Sequence, residues 1–245
     1  MSKFVQFMLW GLDALTSLLL CLWLAWHVSA KFNFFYPTWY QWLEIDQTIE
    51  KTMPRHLYKK EFIATDAFEH QRLFGEMVMA VQNKGAGLEQ IEFHDVNGQP
   101  LGKLLTRNEI IHLQDVATLV NELNWFSLGL CIFSLMLLSL ILLYGIKMPA
   151  LKKIIAGMLV FVVTTALAVM IYGAKDFFYW LHTVVFPVNH QWFFYYEESL
   201  MSTLMKAPDL FAPISLQLMV LALTVWLIHL ALLHKIDNRM NRNGH

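Results

Sequence analysis

Two short stretches of this chain carry side chains able to move protons. In TRNEIIHLQDV, residues 106–116, His112 precedes Asp115 by three positions, one helical turn. In LHTVVFPVNHQWFFYYEES, residues 181–199, His182 is followed by Asn189, His190, Trp192 and Tyr195. Imidazole, with an ordinary pKa of about 6.5, is the side chain best matched to take and return a proton at neutral pH. A protonated histidine, an asparagine amide or a tyrosine hydroxyl can donate to a developing oxyanion. A histidine and an aspartate one turn apart are equally at home as a solvated pair, and a histidine in an aromatic belt as a satisfied interfacial residue. Cys21 and Cys131 both lie inside apolar runs, where thiols fill space, so neither a disulfide framework nor a metal knuckle is suggested. There is no glycine-rich phosphate loop and no internal repeat.

The elements that must position these groups are set by a bilayer. Hydrophobic residues make up 57% of the 245 and charged residues only 15%, more apolar than one soluble core needs. A net charge of −1 argues against nucleic acid as a partner. Four runs, about 4–26, 125–146, 154–173 and 213–233, are long enough to cross about 30 Å of hydrocarbon as helices. Residues 1–245 therefore read as a single α-helical integral membrane domain. In the short segments that flank the spans, Lys3, Lys147, Lys152, Lys153, Lys235, Arg239 and Arg242 face one acidic residue, Asp237. Loops 27–124 and 174–212 hold 11 basic and 17 acidic residues. By the positive-inside rule both termini are cytoplasmic and both loops extracytoplasmic. LAWHVSA, ending at Ala30, resembles a signal-peptidase site, but the run ahead of it exceeds the about 7–15 apolar residues of a signal, so an uncleaved anchor is expected.

The first loop forms a small subdomain, an amphipathic helix plus a β-hairpin. Apolar residues recur at helical spacing from Phe62 to Gln82, and KGAG at 84–87 ends that helix. IEFHDVNGQPLGKLL alternates apolar and polar residues around Asn97-Gly98, a strong hairpin signal. Thr106 and Glu109 form a T-x-x-E capping box, so a helix starts at Arg107 and carries Glu109, His112 and Asp115 on one stripe. The second loop is dense in aromatics and reads as a re-entrant or interfacial helical segment.

The four spans, the outer hairpin, E-x-x-H-x-x-D-V at Glu109, His112, Asp115 and Val116, and H-x-x-x-F from His182 with Asn189 and Trp192 after it resemble the Lit family. These are lipoprotein intramolecular transacylases of bacterial membranes. The resemblance implies a shift of the sn-2 acyl chain of a diacylglyceryl-cysteine lipoprotein to that cysteine's α-amino group, leaving the lyso form. An α-ammonium of pKa about 7.7–8.0 is mostly protonated at neutral pH, so a base is needed. His112 and His182 are the expected catalytic pair, brought close together at the outer boundary of the membrane. Asp115, Asn189, Trp192, Tyr195 and Arg107 are expected to support them or to bind substrate. Glu109 is expected to be a cap and Asp13 a polar helix contact, with His190, His229 and His234 outside the site. No cofactor or metal is required; the partners are the lipoprotein and membrane lipid, at the bacterial plasma membrane, with the site on the extracytoplasmic side. Two other readings use the same residues: a noncatalytic lipid- or lipoprotein-binding accessory, and a haem- or metal-binding membrane subunit.

Overall fold

A computed structural model of the chain describes residues 2–243. In order the helices are α1 (Lys3–Lys31), α2 (Tyr36–Trp42), α3 (Ile45–Thr52) and α4 (Ala67–Gln82). Strands β1 (Glu92–His94) and β2 (Pro100–Lys103) follow, then α5 (Arg107–Leu143), α6 (Leu151–Tyr172), α7 (Ala174–Val185), α8 (Leu200–Met205) and α9 (Phe211–Asn243). Four of them, α1, α5, α6 and α9, are long and apolar enough to cross a membrane, as the hydropathy pattern requires. The capped helix and the second span turn out to be one element, the 37-residue α5. It ends at Gly145 in the left-handed region (φ 57°), where the N–H groups of Gly145 and Ile146 return to the carbonyls of Leu142 and Ile141.

The described residues group into two compact units. The first comprises residues up to Trp26, Asn124–Phe177 and those from Gln217 onward. Trp10, Ala14, Leu18, Cys21 and Ala25 form a buried stripe of α1, packed with Leu137 and Ile141 of α5, Ile154 of α6, and Ala222, Trp226 and Leu230 of α9. Small residues let these helices approach, and the two indoles turn their N–H groups onto backbone: Trp10 Nε1 donates to the Ile146 carbonyl (3.2 Å) and Trp226 Nε1 to that of Ala14 (2.9 Å). Asp13 is buried, but its Oδ2 makes no hydrogen bond to a described residue. In α6 only Ile154 is buried; the helix breaks at Gly173 (φ 100°), where an added Cβ would lie 2.9 Å from Asp176 Oδ2.

The second unit comprises His27–Leu123 and Phe178–Leu216. Its α4 buries Leu73, Phe74, Met77 and Val78, and Tyr36 stacks on Phe74 at 4.0 Å. The helix starts at Ala67 and not at Phe62. The Asp66 carboxylate accepts from the Glu69 N–H (2.8 Å) and starts α4, while 60–64 form a separate 3₁₀ turn with Phe62 fully buried. The antiparallel hairpin pairs Glu92 with Lys103 and Phe93 with Gly102, and turns at Gly98 (φ 79°). Arg72 binds Glu69 and Glu76 of its own helix and donates to the Glu92 carbonyl, fastening the hairpin to α4.

Candidate active site

The capping box forms as its spacing dictates: Thr106 N–H donates to Glu109 Oε2 (2.5 Å) and Glu109 N–H approaches Thr106 Oγ1 (3.5 Å). Glu109 is fully buried, and its other oxygen accepts from the Ser199 hydroxyl (2.5 Å) and the Met201 N–H (3.3 Å). A residue expected only to cap α5 therefore also ties the chain around 199–201 to the first turn of that helix.

One turn further along α5, His112 is 9% exposed, and its Nδ1 is enclosed without a hydrogen-bond partner. Its ring centroid lies 6.3 Å from that of His182, 5.0 Å from Phe186 and 6.0 Å from Phe194. His182 is half-buried between Phe178 (4.0 Å), Phe186 (5.2 Å) and Trp192 (5.0 Å). Phe178 and His182, spaced by four, share one face of α7, and Phe186, the residue just after the helix, donates its N–H back to the His182 carbonyl (3.0 Å), while Leu181, Val184 and Val185 turn outward. His182 Nδ1 lies 2.7 Å from the Phe178 carbonyl. A carbonyl only accepts, so Nδ1 carries the proton and the neutral ring keeps its lone pair on Nε2. Burial holds the His182 pKa below its ordinary value, against the opposing pull of the Phe178 carbonyl.

From His190 to Tyr196 the chain alternates: His190, Trp192, Phe194 and Tyr196 are partly buried, while Gln191, Phe193 and Tyr195 are exposed. This is the period of extended backbone. It brings Trp192 to His182 and Phe194 to His112, and turns Tyr195 away, its ring 5.1 Å from Phe193. Asn189 and Arg107 are exposed, and among the described residues no hydrogen bond connects either to the two histidines. The Tyr196 hydroxyl donates to the Ala207 carbonyl (2.8 Å); burial and the nearby Asp209 push its pKa up to about 12.

Asp115 has a different partner from the one its position suggests. Its Oδ2 is 2.7 Å from Nδ1 of His190, a residue that the sequence pattern leaves outside the site. The alternation His190, Trp192, Phe194 was the available signal, since it puts His190 on the side of the two inward rings. His56, away from the two stretches, is fully buried, and its Nδ1 accepts from the Tyr58 and Lys59 N–H groups (3.2 and 3.1 Å).

The family model of the lipoprotein intramolecular transacylase Lit matches residues 12–206. The chain belongs to the Lit family. Lit proteins are membrane acyltransferases, and the four apolar helices and two-stranded sheet fit that family's fold. A structure of Bacillus cereus Lit carrying a histidine-to-arginine substitution is similar to it over 98% of this chain and 95% of that one, with a TM-score of 0.66 at 14% identity. A histidine-to-alanine form of the same Bacillus cereus protein gives a TM-score of 0.65 at 14% identity, covering 97% and 96%. At that identity the likeness speaks to the fold. No curated protein matches the sequence.

Proposed function

We propose that this Lit-family protein moves the sn-2 acyl chain of a diacylglyceryl-cysteine lipoprotein to the α-amino group of the same cysteine. The observation that carries this reading is the approach of two imidazoles, 6.3 Å between centroids, inside a shell of Phe178, Phe186, Trp192 and Phe194. An aromatic shell suits a lipid ester, and the two rings suit a proton that must be taken from one atom and returned to another.

In this reading Nε2 of neutral His182 takes a proton from the α-amino group as its nitrogen attacks the sn-2 ester carbonyl. The tetrahedral oxyanion accepts a hydrogen bond from His112. An enclosed lone pair costs less than an enclosed N–H, so the buried Nδ1 of His112 is the bare nitrogen and Nε2–H the donor. As the ester C–O bond breaks, protonated His182 returns its proton to the glycerol oxygen, giving an amide and a free hydroxyl with no net change in atoms. Nucleophile and ester belong to one molecule, so holding them together supplies much of the rate through effective molarity. We place both long loops on the extracytoplasmic face of the bacterial plasma membrane, on the charge asymmetry of the sequence, with the whole chain acting as one membrane domain.

The test is isomerisation at constant mass. Purified protein incubated with a diacylated lipopeptide yields an N-acyl, lyso-glyceryl product, located by fragmentation in the mass spectrometer. His112→Ala and His182→Ala each lower the rate by about 10²–10⁴-fold, the usual contribution of acid–base assistance. His229→Ala leaves it unchanged. Hydrolysis, or binding without turnover, refutes the reading.

A further inference from the structure

We propose that His190, through its hydrogen bond to Asp115, is a positioning residue that holds segment 187–199 as a strap across the two site histidines. The inference rests on the acyl-shift reading above for its kinetic consequence and on geometry alone for the strap itself. The strap is irregular backbone between α7 and α8, with no ladder of its own to fix it. At its far end Glu109 holds Ser199 and Met201. Near its start two polar contacts reach α5: Asn108 Nδ2 donates to Gln191 Oε1 (2.8 Å), and His190 Nδ1 meets Asp115 Oδ2 (2.7 Å). The first pair is exposed and worth little; in the second the side chains are 32% and 17% exposed, so its carboxylate is shielded and the bond correspondingly stronger.

Spacing turns that bond into a clamp on the chemistry. Asp115 lies one turn after His112, and His190 lies two residues before Trp192 and four before Phe194. With burial alternating along the strap from 190 to 196, fixing His190 at Asp115 presents Trp192 and Phe194 on the same side, where their rings lie 5.0 Å from His182 and 6.0 Å from His112. Among the described residues no hydrogen bond or ring contact joins His190 to either histidine ring; it acts through the two aromatic residues that follow it. Among the described residues the titratable ring against His182 is His112 of α5, with the Asp115–His190 pair one turn further along that helix, and its aromatic contacts are Phe178, Phe186 and Trp192.

Three proteins decide it: the wild type, His190→Ala, and His190→Gln, whose amide still donates to Asp115. Diethylpyrocarbonate labelling of His182, located by peptide fragmentation, reads strap closure whether or not the protein turns over. His190→Ala speeds that labelling roughly ten-fold, the shift expected from losing one charge-assisted bond, and His190→Gln restores protection. On the lipopeptide, His190→Ala lowers kcat by about 100-fold, as a misplacement near 1 Å does. It also moves the acid break of kcat/KM up toward pH 6.5 as His182 gains solvent, and His190→Gln returns both. If His190→Ala does not fold, Asp115→Ala breaks the same bond from the other side and is expected to give the same labelling. Wild-type labelling rates in the variants, or failure of His190→Gln to differ from His190→Ala, overturn the strap. A wild-type protein that does not isomerise the lipopeptide overturns the acyl-shift reading, while the labelling still decides the strap.

Discussion

Replacing Glu109 by alanine separates a helix cap from a structural tie. The carboxylate is fully buried and serves three donors: Thr106 N–H at 2.5 Å, Ser199 O–H at 2.5 Å and Met201 N–H at 3.3 Å. Ser199 is itself 1% exposed, so water cannot replace the lost acceptor there without disturbing α8. A buried donor left without an acceptor costs about 1–3 kcal/mol, and the long third bond sits at the low end, for a total of about 3–6 kcal/mol. A cap alone is worth about 1 kcal/mol. For a chain of this size each kcal/mol moves the midpoint by about 2–4 °C, so the tie predicts a loss of about 6–24 °C and the cap about 2–4 °C. Thermal unfolding of the purified protein in detergent, followed by tryptophan fluorescence, distinguishes them. A loss under about 5 °C would show that the contacts with Ser199 and Met201 contribute nothing, and the account of how this segment is anchored would fail.

The pH dependence of kcat/KM follows from the half-buried imidazole of His182. Between about pH 6.5 and 7.5 the logarithm rises with unit slope, set by an α-ammonium of pKa about 7.7–8.0, and steepens toward two where His182 takes up its proton. Burial lowers the His182 pKa, so activity is retained below the ordinary imidazole value and the steepening lies under pH 6.5; a break above 6.5 contradicts the burial argument. Topology is checked by reporter fusions: a periplasm-active reporter is expected to work at Asn97 and to be silent at Leu151 and Asn241, and the reverse pattern removes the extracytoplasmic site.

The parts of the fold legible in sequence were those with a local cause. Hydropathy marks the four long helices, Thr106 and Glu109 announce the start of α5, and Asn97-Gly98 marks the hairpin. Residues 32–52 were not legible. There Asn33, Phe34, Phe35 and Glu44 take left-handed backbone (φ 50–58°) with no glycine to signal it. Such positions cost about 1–3 kcal/mol each and persist only because surrounding packing imposes them, as where Phe34 is buried and its carbonyl accepts from Trp39 Nε1. In the site, His112 and His182 stood out by type and motif. The bond from Asp115 to His190 joins residues 75 apart and leaves no periodic trace on α5. Tyr195, whose chemistry was attractive, lies on the exposed side of the alternation, its ring against Phe193.

Gly173 sets the two histidines under different mechanical rules. Its backbone (φ 100°, ψ 115°) is far from helical, so the angular phase of α6 is not handed on to α7, and the direction in which His182 points is decided by the contacts of its own short helix. His112 has no such insulation, because α5 is continuous from Arg107 to Leu143. One residue added to a helix rotates everything beyond it by about 100°. An insertion within α6 therefore meets a break in helical phase at the glycine before α7 begins, whereas the same insertion in α5 after His112 is carried through an unbroken helix.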